Sequence, residues 1–457
     1  MSQKNNKPGL IYSIFKSYLR FTHNKVYYQK TYSINYENIP ADGTPVIVVS
    51  NHQNCLNDPL GVLFTIRDRK PHFITRADVF AIHPIANKFL RSIGLLPAFR
   101  LDYEGESALG QNDETFKVTE RELVEGRTII MFPEAGHQDK RWLGHFSQGY
   151  LKLAFEAAEM DNFNTEIFIL PSCNHYTNYT DIQGQFMVKF GEPISLKPYY
   201  ERYKSKPRTV KREINTLVKE KISALMLNIE DLDNYDSIDY IRTTYGKSYA
   251  AQKGTDTNYL PDMLVSDKEF CKRLDEFNRE NPEQAAAIYD LASREKEGVK
   301  KLGIRSEALE KRPSAICTLL KALLAIVFIE VYIFSLWPAL FLYAIPKLMH
   351  KKMSTDIMFL GTYYFAFNVL FFIPIFTIAT LLITFFSTGS WLLALAHVAL
   401  LPLLAIIACK YTKFIVKTAR DLRWLCSSAS AKGKELQQLH DELWNRLDIV
   451  FKKKELE

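Results

Sequence analysis

The sequence has 457 residues, of which 47% are hydrophobic and 24% charged, and this composition excludes a disordered or fibrous chain. A formal net charge of +7 suits a nucleic acid, an anionic membrane or a phosphorylated substrate, so charge alone does not choose a partner. The six cysteines are far apart and form no CxxC pair, which argues against a structural zinc site and a disulfide framework.

The first predicted element is a basic amphipathic helix within residues 1–29. Its apolar residues recur at helical spacing: Leu10, Ile11, Ile14, Phe15 and Leu19. Lys16 and Arg20 interrupt the run too early for a signal peptide. We expect an interfacial helix at the membrane, while packing on its own domain is the open alternative.

Residues 30–205 alternate between short apolar runs and helical patterns. The predicted strands are Pro45–Ser50, His72–Thr75, Arg127–Phe132, Glu166–Pro171 and Gln185–Phe190. Helical patterns lie between them, for example Thr115–Glu125, which Gly126 ends, and Gly149–Met160. This alternation predicts an α/β domain in which helices flank a largely buried, mixed sheet.

A soluble helical linker is predicted for residues 206–313, and a membrane region for residues 314–412. The three apolar runs in that region are Ala315–Ile345, Ile357–Phe386 and Trp391–Cys409. Each has the length of about 20 apolar residues that a bilayer core requires. Residues 413–457 are predicted to form a C-terminal cytoplasmic helix, because Leu436, Leu439 and Leu443 begin a helical stripe.

Basic residues flank the first apolar run on both sides, at Lys311 and Arg312 and again at Lys347. By the positive-inside rule both flanks are cytoplasmic, which a single span does not satisfy. Pro338 in that run favours a re-entrant segment or hairpin over residues 315–345. Residues 357–386 and 391–410 would then form two spans. The sequence therefore predicts a multi-pass membrane protein whose N-terminal domain lies on the cytoplasmic side.

The strongest polar cluster is Asn51–Leu60, which follows the first predicted strand. Ligand sites in α/β proteins gather at the carboxyl ends of strands. In this cluster Asp58 can accept a hydrogen bond from one imidazole nitrogen of His52 and leave the other nitrogen basic. No GxSxG-type nucleophile accompanies the pair, so we expect His52 to act directly on a substrate hydroxyl. Taken alone, a histidine and an aspartate at this spacing are common by chance.

A second cluster, Phe132–His137, follows the third predicted strand. Within it Glu134 is suited to bind a hydroxyl of a polyol, and Gly136 lets the backbone approach a ligand. Lys140 and Arg141 come shortly afterwards.

Two arginines are candidates for binding a phosphate, because a guanidinium is a planar partner for that group. Arg100 ends the segment that begins at Gly94, and Arg76 follows the second predicted strand. Taken singly, each arginine is more simply explained by a surface salt bridge.

In this order the clusters resemble the motifs of the glycerolipid acyltransferase family, typified by bacterial 1-acylglycerol-3-phosphate acyltransferases. The family has an NHxxxxD-type block, a GxxFIxR block, an FPEG-type block and an apolar strand that ends in proline. The corresponding segments here are Asn51–Asp58, Gly94–Arg100, Phe132–Glu134 and Ile169–Pro171. Phe190–Ile194 is similar to the family's GxPI segment, so the resemblance covers about residues 30–200.

The resemblance implies that His52 is the base that deprotonates the acceptor hydroxyl and that Asp58 orients it. It also implies that Arg100 holds an acceptor phosphate and that Glu134 contributes to the acceptor site. The donor would be an acyl-CoA or acyl-carrier-protein thioester, attacked directly without a covalent enzyme intermediate. Neither a metal nor a cofactor is expected.

Three departures from the family pattern bear on the acceptor. Five residues rather than four separate His52 from Asp58, as in a subset that includes fungal-type glycerol-3-phosphate acyltransferases. Pro97 stands where the second block usually has phenylalanine. Ala135-Gly136-His137 replaces the usual Gly-Thr-Arg, and Lys140 or Arg141 would have to replace the missing arginine.

The expected function is therefore membrane-bound acyl transfer to a lysophosphatidate-type acceptor, with glycerol 3-phosphate as an alternative acceptor. A lipid-binding membrane protein without catalytic activity is the alternative of another class. Nucleic acid is not an expected partner, because the basic residues flank apolar runs and no aromatic-basic stacking motif is present.

Overall fold

A computed structural model describes residues 8–66, 69–76, 80, 84–98, 107–134, 136, 139–369 and 373–452. The chain divides into two compact units. The first consists of Met1–Met226 together with Ser354–Phe365. The second consists of Leu227–Met353 and Ala366–Glu457.

The first unit is built around a mixed sheet. Its described strands are β1 (Lys30–Ile34), β2 (Val46–Ser50), β3 (His72–Arg76), β4 (Leu95–Ala98), β5 (Thr128–Met131), β6 (Phe168–Tyr176), β7 (Gln185–Phe190) and β8 (Ile194–Ser195). They are arranged in the order β1-β7-β6-β2-β5-β3-β4, and β8 pairs with β6. Most neighbours are parallel, whereas β6 and β7 are antiparallel. The predicted mixed α/β sheet is confirmed.

Strand β2 lies in the middle of the sheet. Val46, Ile47, Val48 and Val49 are all fully buried, so both faces of the strand are covered. A run of β-branched residues without alternation is typical of such a strand. Its two neighbours, β5 and β6, both run parallel to it, and therefore the chain leaves all three at the same edge of the sheet.

Helices cover the sheet of the first unit. They are α1 (Leu10–Phe21), α2 (Asn57–Thr65), α3 (Pro84–Ser92), α4 (Ser107–Val124), α5 (Gly149–Met160), α6 (Tyr200–Ser205) and α7 (Pro207–Leu225). Helix α7 belongs to this unit although it starts beyond the predicted boundary at residue 205. Val210, Ile214, Val218 and Ile222 recur every four residues and are fully buried in the core that also contains α5.

The N-terminal helix α1 packs on its own unit and also keeps exposed apolar residues. Lys16 is buried, and its Nζ donates to the carbonyls of Ile66 (2.6 Å) and Arg69 (3.0 Å), which attaches α1 to its own unit. Leu10 and Ile11 nevertheless remain 78% and 84% exposed. The apolar side that the interfacial prediction requires is therefore present on a docked helix.

The second unit is helical. Its helices are α8 (Tyr235–Ile241), α9 (Lys247–Gln252), α10 (Leu260–Glu280), α11 (Pro282–Leu302), α12 (Glu307–Glu310), α13 (Ala315–Val327), α14 (Ile329–Ala339), α15 (Ile345–Met353), α17 (Ile373–Thr388), α18 (Trp391–Ser427) and α19 (Ala431–Lys452). Helix α16 (Leu360–Phe367) begins in the first unit and ends in the second. In α19, Leu443 and Leu447 of the predicted stripe are fully buried.

Among the described residues, α18 is long and apolar enough to cross a membrane, with a mean hydropathy of 2.6 in its apolar window. Helices α13 and α14 pass the same test only as a pair, and they are bent by 65° at Phe328 rather than at Pro338. The segment predicted as the second span is divided between the shorter α16 and α17, and residues 370–372 lie outside the described chain. A multi-pass arrangement remains a prediction.

Candidate active site

The loop between β2 and α2 brings His52 and Asp58 together. His52 Nδ1 lies 2.9 Å from Asp58 Oδ2. Asp58 is fully buried in the first turn of α2, where the helix dipole favours a negative charge, whereas the His52 side chain is 20% exposed. The predicted pair therefore has the expected geometry, with the imidazole as the member that solvent can reach.

The Asp58 carboxylate accepts hydrogen bonds from several donors. Besides the His52 imidazole, Oδ2 accepts from the backbone N–H groups of Gln53 and Asn54, both at 2.7 Å. The hydroxyl of Tyr176 donates to Oδ1 at 2.6 Å. These bonds compensate for the removal of a carboxylate from water and fix its orientation.

Tyr176 is a candidate functional residue that the sequence analysis missed. It is the last residue of β6, which neighbours β2, and it is buried. Burial raises the pKa of its hydroxyl well above the usual range, and the Asp58 carboxylate adds to that effect. The phenol therefore stays protonated and acts as a donor. Its only signal in sequence is its place just after the apolar strand of the fourth motif.

Asn51, the residue before the histidine, ties the loop to β6. Its Oδ1 accepts from the Asn174 backbone N–H at 2.7 Å, and its Nδ2 donates to the Asn174 carbonyl at 3.1 Å. This pair of bonds continues the β2–β6 ladder through a side chain, so the loop is held in register with the sheet.

Glu134 follows β5 and lies beside the histidine. Its Oε1 accepts from the backbone N–H of His52 at 2.7 Å, and its Oε2 accepts from that of Gly144 at 2.8 Å. The ring of Phe132 packs on the His52 imidazole, with 4.6 Å between centroids. Glu134 therefore holds the backbone around His52, and its predicted contact with the acceptor remains a prediction.

The loop after β5 brings Lys140 and Arg141 to the same region. Arg141 is buried, and its guanidinium donates to the carbonyls of Tyr176 (3.0 Å) and Thr177 (3.2 Å). Gln53 donates to the Lys140 carbonyl at 2.9 Å. Gly136 is exposed, and a Cβ there would meet nothing within 4 Å. Substrate contacts of these three residues remain predictions.

Of the two arginines proposed to bind a phosphate, Arg76 lies within the described residues. Arg76 ends β3, which is parallel to β5, so its backbone lies at the same edge of the sheet as His52. Arg100 lies outside the described residues, as do Ala135 and His137 of the third motif.

Cys55 is the thiol nearest to the candidate catalytic pair, but it is a poor nucleophile. Burial raises the pKa of the Cys55 thiol above its usual range, and the carboxylates of Asp58 and Asp356 raise it further. A thiol held in its protonated form does not attack a thioester efficiently. The arrangement favours a base that activates an external hydroxyl. Among the described residues, no group of three His, Cys, Asp or Glu side chains is placed to hold a metal ion.

Comparisons with known proteins found a matching family model, a similar sequence and a similar structure. The model of the acyltransferase family matches residues 30–174. A chloroplastic 1-acyl-sn-glycerol-3-phosphate acyltransferase of Arabidopsis thaliana is 28% identical over 128 residues, which are 27% of this chain and 33% of the relative. The crystal structure of the 1-acyl-sn-glycerophosphate acyltransferase PlsC from Thermotoga maritima is similar at 19% identity and a TM-score of 0.32, covering 45% of this chain and 79% of that one.

Proposed function

We propose that the protein transfers a fatty acyl group from a thioester to the hydroxyl of a lysophosphatidate-type acceptor in phospholipid synthesis, and the match of residues 30–174 to the acyltransferase family model supports this. The observation that carries the proposal is the pair of His52 and Asp58, 2.9 Å apart, at the carboxyl edge of the sheet. The similarity to the plant 1-acyl-sn-glycerol-3-phosphate acyltransferase supports the acceptor class.

His52 acts as the general base of the proposed reaction. With Nδ1–H donating to Asp58, the lone pair at Nε2 accepts the proton of the acceptor hydroxyl. The hydroxyl oxygen attacks the thioester carbonyl and forms a tetrahedral intermediate. Its collapse breaks the C–S bond, and the imidazolium returns the proton to the leaving thiolate. Asp58 stabilises the imidazolium between the two steps.

Placement at a membrane follows from the chemistry of the acceptor. Each CH₂ of an acyl chain contributes about 0.8 kcal/mol when it is buried, so drawing a lipid into water is unfavourable. An enzyme held at the interface takes its substrate laterally. The apolar α18 and the exposed Leu10 and Ile11 of α1 support this placement.

We further propose a multi-pass arrangement with the catalytic unit on the cytoplasmic side. Cysteines introduced at Arg312 and Lys351, in a background without other cysteines, would report the sidedness of the flanks of the first apolar run. Labelling of both from the cytoplasmic side of sealed vesicles is expected. Labelling from opposite sides would show that residues 315–345 cross the membrane once.

The central experiment uses purified protein, labelled acyl-CoA or acyl-carrier protein, and lysophosphatidate, glycerol 3-phosphate and other lysolipids as acceptors. We expect transfer to lysophosphatidate, and a fall of about 10²–10⁴-fold in His52→Ala, the usual contribution of a general base. His145→Ala, which removes an exposed histidine, is the matched control. Undiminished activity in His52→Ala would reject the mechanism. Transfer to glycerol 3-phosphate alone would reject the proposed acceptor.

Activity is expected to persist in excess chelator, because the proposed proton transfers need no metal. Loss of activity in EDTA that added Mg²⁺ restores would contradict this.

A further inference from the structure

A segment far along the chain returns to the catalytic unit. Ser354–Phe365, called here the returning segment, belongs to the first unit although it lies about 300 residues after His52. It consists of a short turn and the first part of α16. Four of its side chains are buried, so the segment is packed into the unit: Met358, Leu360, Tyr364 and Phe365.

The returning segment contacts the turn between His52 and Asp58. The backbone N–H of Leu56 donates to Thr362 Oγ1 at 3.2 Å. A Cβ on Gly361 would lie 2.5 Å from Asn57 Nδ2 and 2.9 Å from Asn54 Oδ1. Real Cβ atoms essentially never show separations under 3.0 Å, so a side chain at position 361 would displace either the Asn54 and Asn57 side-chain amides or the returning segment.

The contacted turn, Asn54–Asn57, shapes the Asp58 site. The Asn54 N–H donates to Asp58 Oδ2 at 2.7 Å, and the Asn57 N–H donates to the Asn54 carbonyl at 2.8 Å. Cys55 in this turn has φ +36°, in the left-handed region that a non-glycine residue rarely adopts. Such a conformation persists only where the surroundings hold it.

Aromatic contacts anchor the C-terminal end of the returning segment, next to Gly361 and Thr362. The ring of Phe365 packs edge-on against His23, with 5.6 Å between centroids, and Tyr364 lies 6.5 Å from Tyr27. Burial lowers the pKa of His23 to about 4, so this histidine is a neutral aromatic partner at physiological pH. The edge-to-face arrangement of Phe365 and His23 is a favourable one for aromatic rings at this distance.

We propose that Gly361 and Thr362 are positioning residues for acyl transfer, because the returning segment holds the Asn54–Asn57 turn in the conformation that presents Asp58 to His52. An acyltransferase domain that ended at residue 205 would lack this support. The expected effect on rate rests on the proposed function, whereas the effect on the turn does not.

Two substitutions test the positioning role. Gly361→Ala displaces either the segment or the Asn54 and Asn57 side chains of the turn, and Thr362→Val removes the acceptor of the Leu56 N–H. We expect kcat to fall by about 10–100-fold in each, since small displacements of catalytic groups have effects of this size, with KM for both substrates changed less than about twofold. Thr362→Ser keeps the hydroxyl that Thr362→Val removes, so it is expected to have the wild-type kcat.

Gly298→Ala is the matched control. Gly298 lies in α11 of the second unit, and its Cβ would approach the Leu436 side chain to 2.6 Å, a similar overlap. We expect this variant to keep the wild-type kcat. An equal loss in Gly298→Ala would mean that any tight helical glycine produces the effect, and the positioning role would be wrong.

Labelling of Cys55 with a maleimide, followed by peptide mapping, gives a readout independent of activity. Cys173 is fully buried and Cys426 is exposed, so they serve as internal references. Gly361→Ala and Thr362→Val are expected to label several-fold faster at Cys55, with Cys173 unchanged. Labelling of Cys173 in Gly361→Ala would mean that the sheet of this variant has not folded. The inference would then be judged from Thr362→Val alone.

Unchanged labelling of Cys55 in both variants, or unchanged kcat, overturns the inference. If the wild-type protein shows no acyl transfer with any donor and acceptor, the proposed function fails. The labelling of Cys55 would still decide whether the returning segment holds the turn.

Discussion

The hydroxyl of Tyr176, at the end of β6, donates a 2.6 Å hydrogen bond to Oδ1 of Asp58, the residue that orients His52. The carboxylate is thus held from two sides, by its own loop through the backbone and by the neighbouring strand through a phenol. Each hydrogen bond to Asp58 helps to fix the orientation of its carboxylate. Loss of any one donor is therefore expected to disturb the contact between Asp58 and His52.

Tyr176→Phe is expected to lower kcat by about tenfold and the free energy of unfolding by about 1–3 kcal/mol, since Oδ1 of a buried carboxylate loses a donor. Steady-state kinetics and urea unfolding would measure both effects. Tyr150→Phe is the matched control, because Tyr150 is also buried and donates to Asn215 at 3.0 Å in the core. It should lose stability but keep kcat. A wild-type kcat in Tyr176→Phe would contradict the role.

Asp58→Asn should reduce kcat by about 10²–10⁴-fold, because an amide does not stabilise the imidazolium and holds His52 in the other tautomer. KM for the donor should change little. The variant is also expected to unfold more easily, since the amide group replaces an acceptor that faces the N–H groups of Gln53 and Asn54. Circular dichroism would separate a folded, inactive variant from an unfolded one. Full activity in the folded variant would remove Asp58 from the mechanism.

Glu120 predicts a pH dependence of stability in the first unit. The pKa of Glu120 is raised from 4.5 to about 7, mainly by burial and secondly by the nearby Glu156 carboxylate. Between these values the folded state binds the proton more tightly than the unfolded state, so stability falls as pH rises from 4.5 through about 7. Glu120→Gln should therefore gain thermal stability relative to the wild type between pH 5 and pH 8.

Thermal midpoints at several pH values would measure this effect. Glu125→Gln, which removes an exposed carboxylate, should leave the pH dependence as in the wild type. If the difference between Glu120→Gln and the wild type does not depend on pH, the assignment to Glu120 is wrong.

Arg242 and Asp267 form a buried ion pair in the second unit, 2.6 Å apart. Arg242→Leu should destabilise this unit by about 3–5 kcal/mol, because it leaves a buried carboxylate without its partner. Denaturant unfolding would measure the effect, and adding Asp267→Asn should recover part of it. Arg202 and Glu213 are also 2.6 Å apart but exposed, so Arg202→Ala should have little effect. An equal loss of unfolding free energy in Arg242→Leu and Arg202→Ala would contradict the expectation that burial makes the first pair more important.

The central strands and the helix α5 could be predicted from sequence, whereas the edges of the sheet could not. Gln185–Phe190 and Gly149–Met160 have the predicted bounds. Of the two edge strands, β1 contains the polar residues Lys30, Thr31 and Ser33, and β4 has four residues, one of which is Pro97. Edge strands are half-exposed and owe their conformation to a neighbour, so local sequence indicates them weakly.

Strand β6 shows how pairing decides the length of an element. The sequence predicts that it ends at Pro171, yet it continues to Tyr176 because residues 172–176 pair with β7. The extension places Tyr176 beside Asp58. Tyr176 was therefore not predicted as a site residue, because the part of β6 that contains it was not predicted either.

The sequence by itself determined the α/β class, the order of the motifs and the candidates His52, Asp58 and Glu134, because each motif is a local pattern next to a strand. Tertiary structure alone decided what surrounds Asp58. Tyr176 is 118 residues away along the chain, and Thr362 is 306 residues from the Leu56 N–H that it accepts. Contacts at such separations depend on how the strands and helices pack, and no local periodicity encodes them.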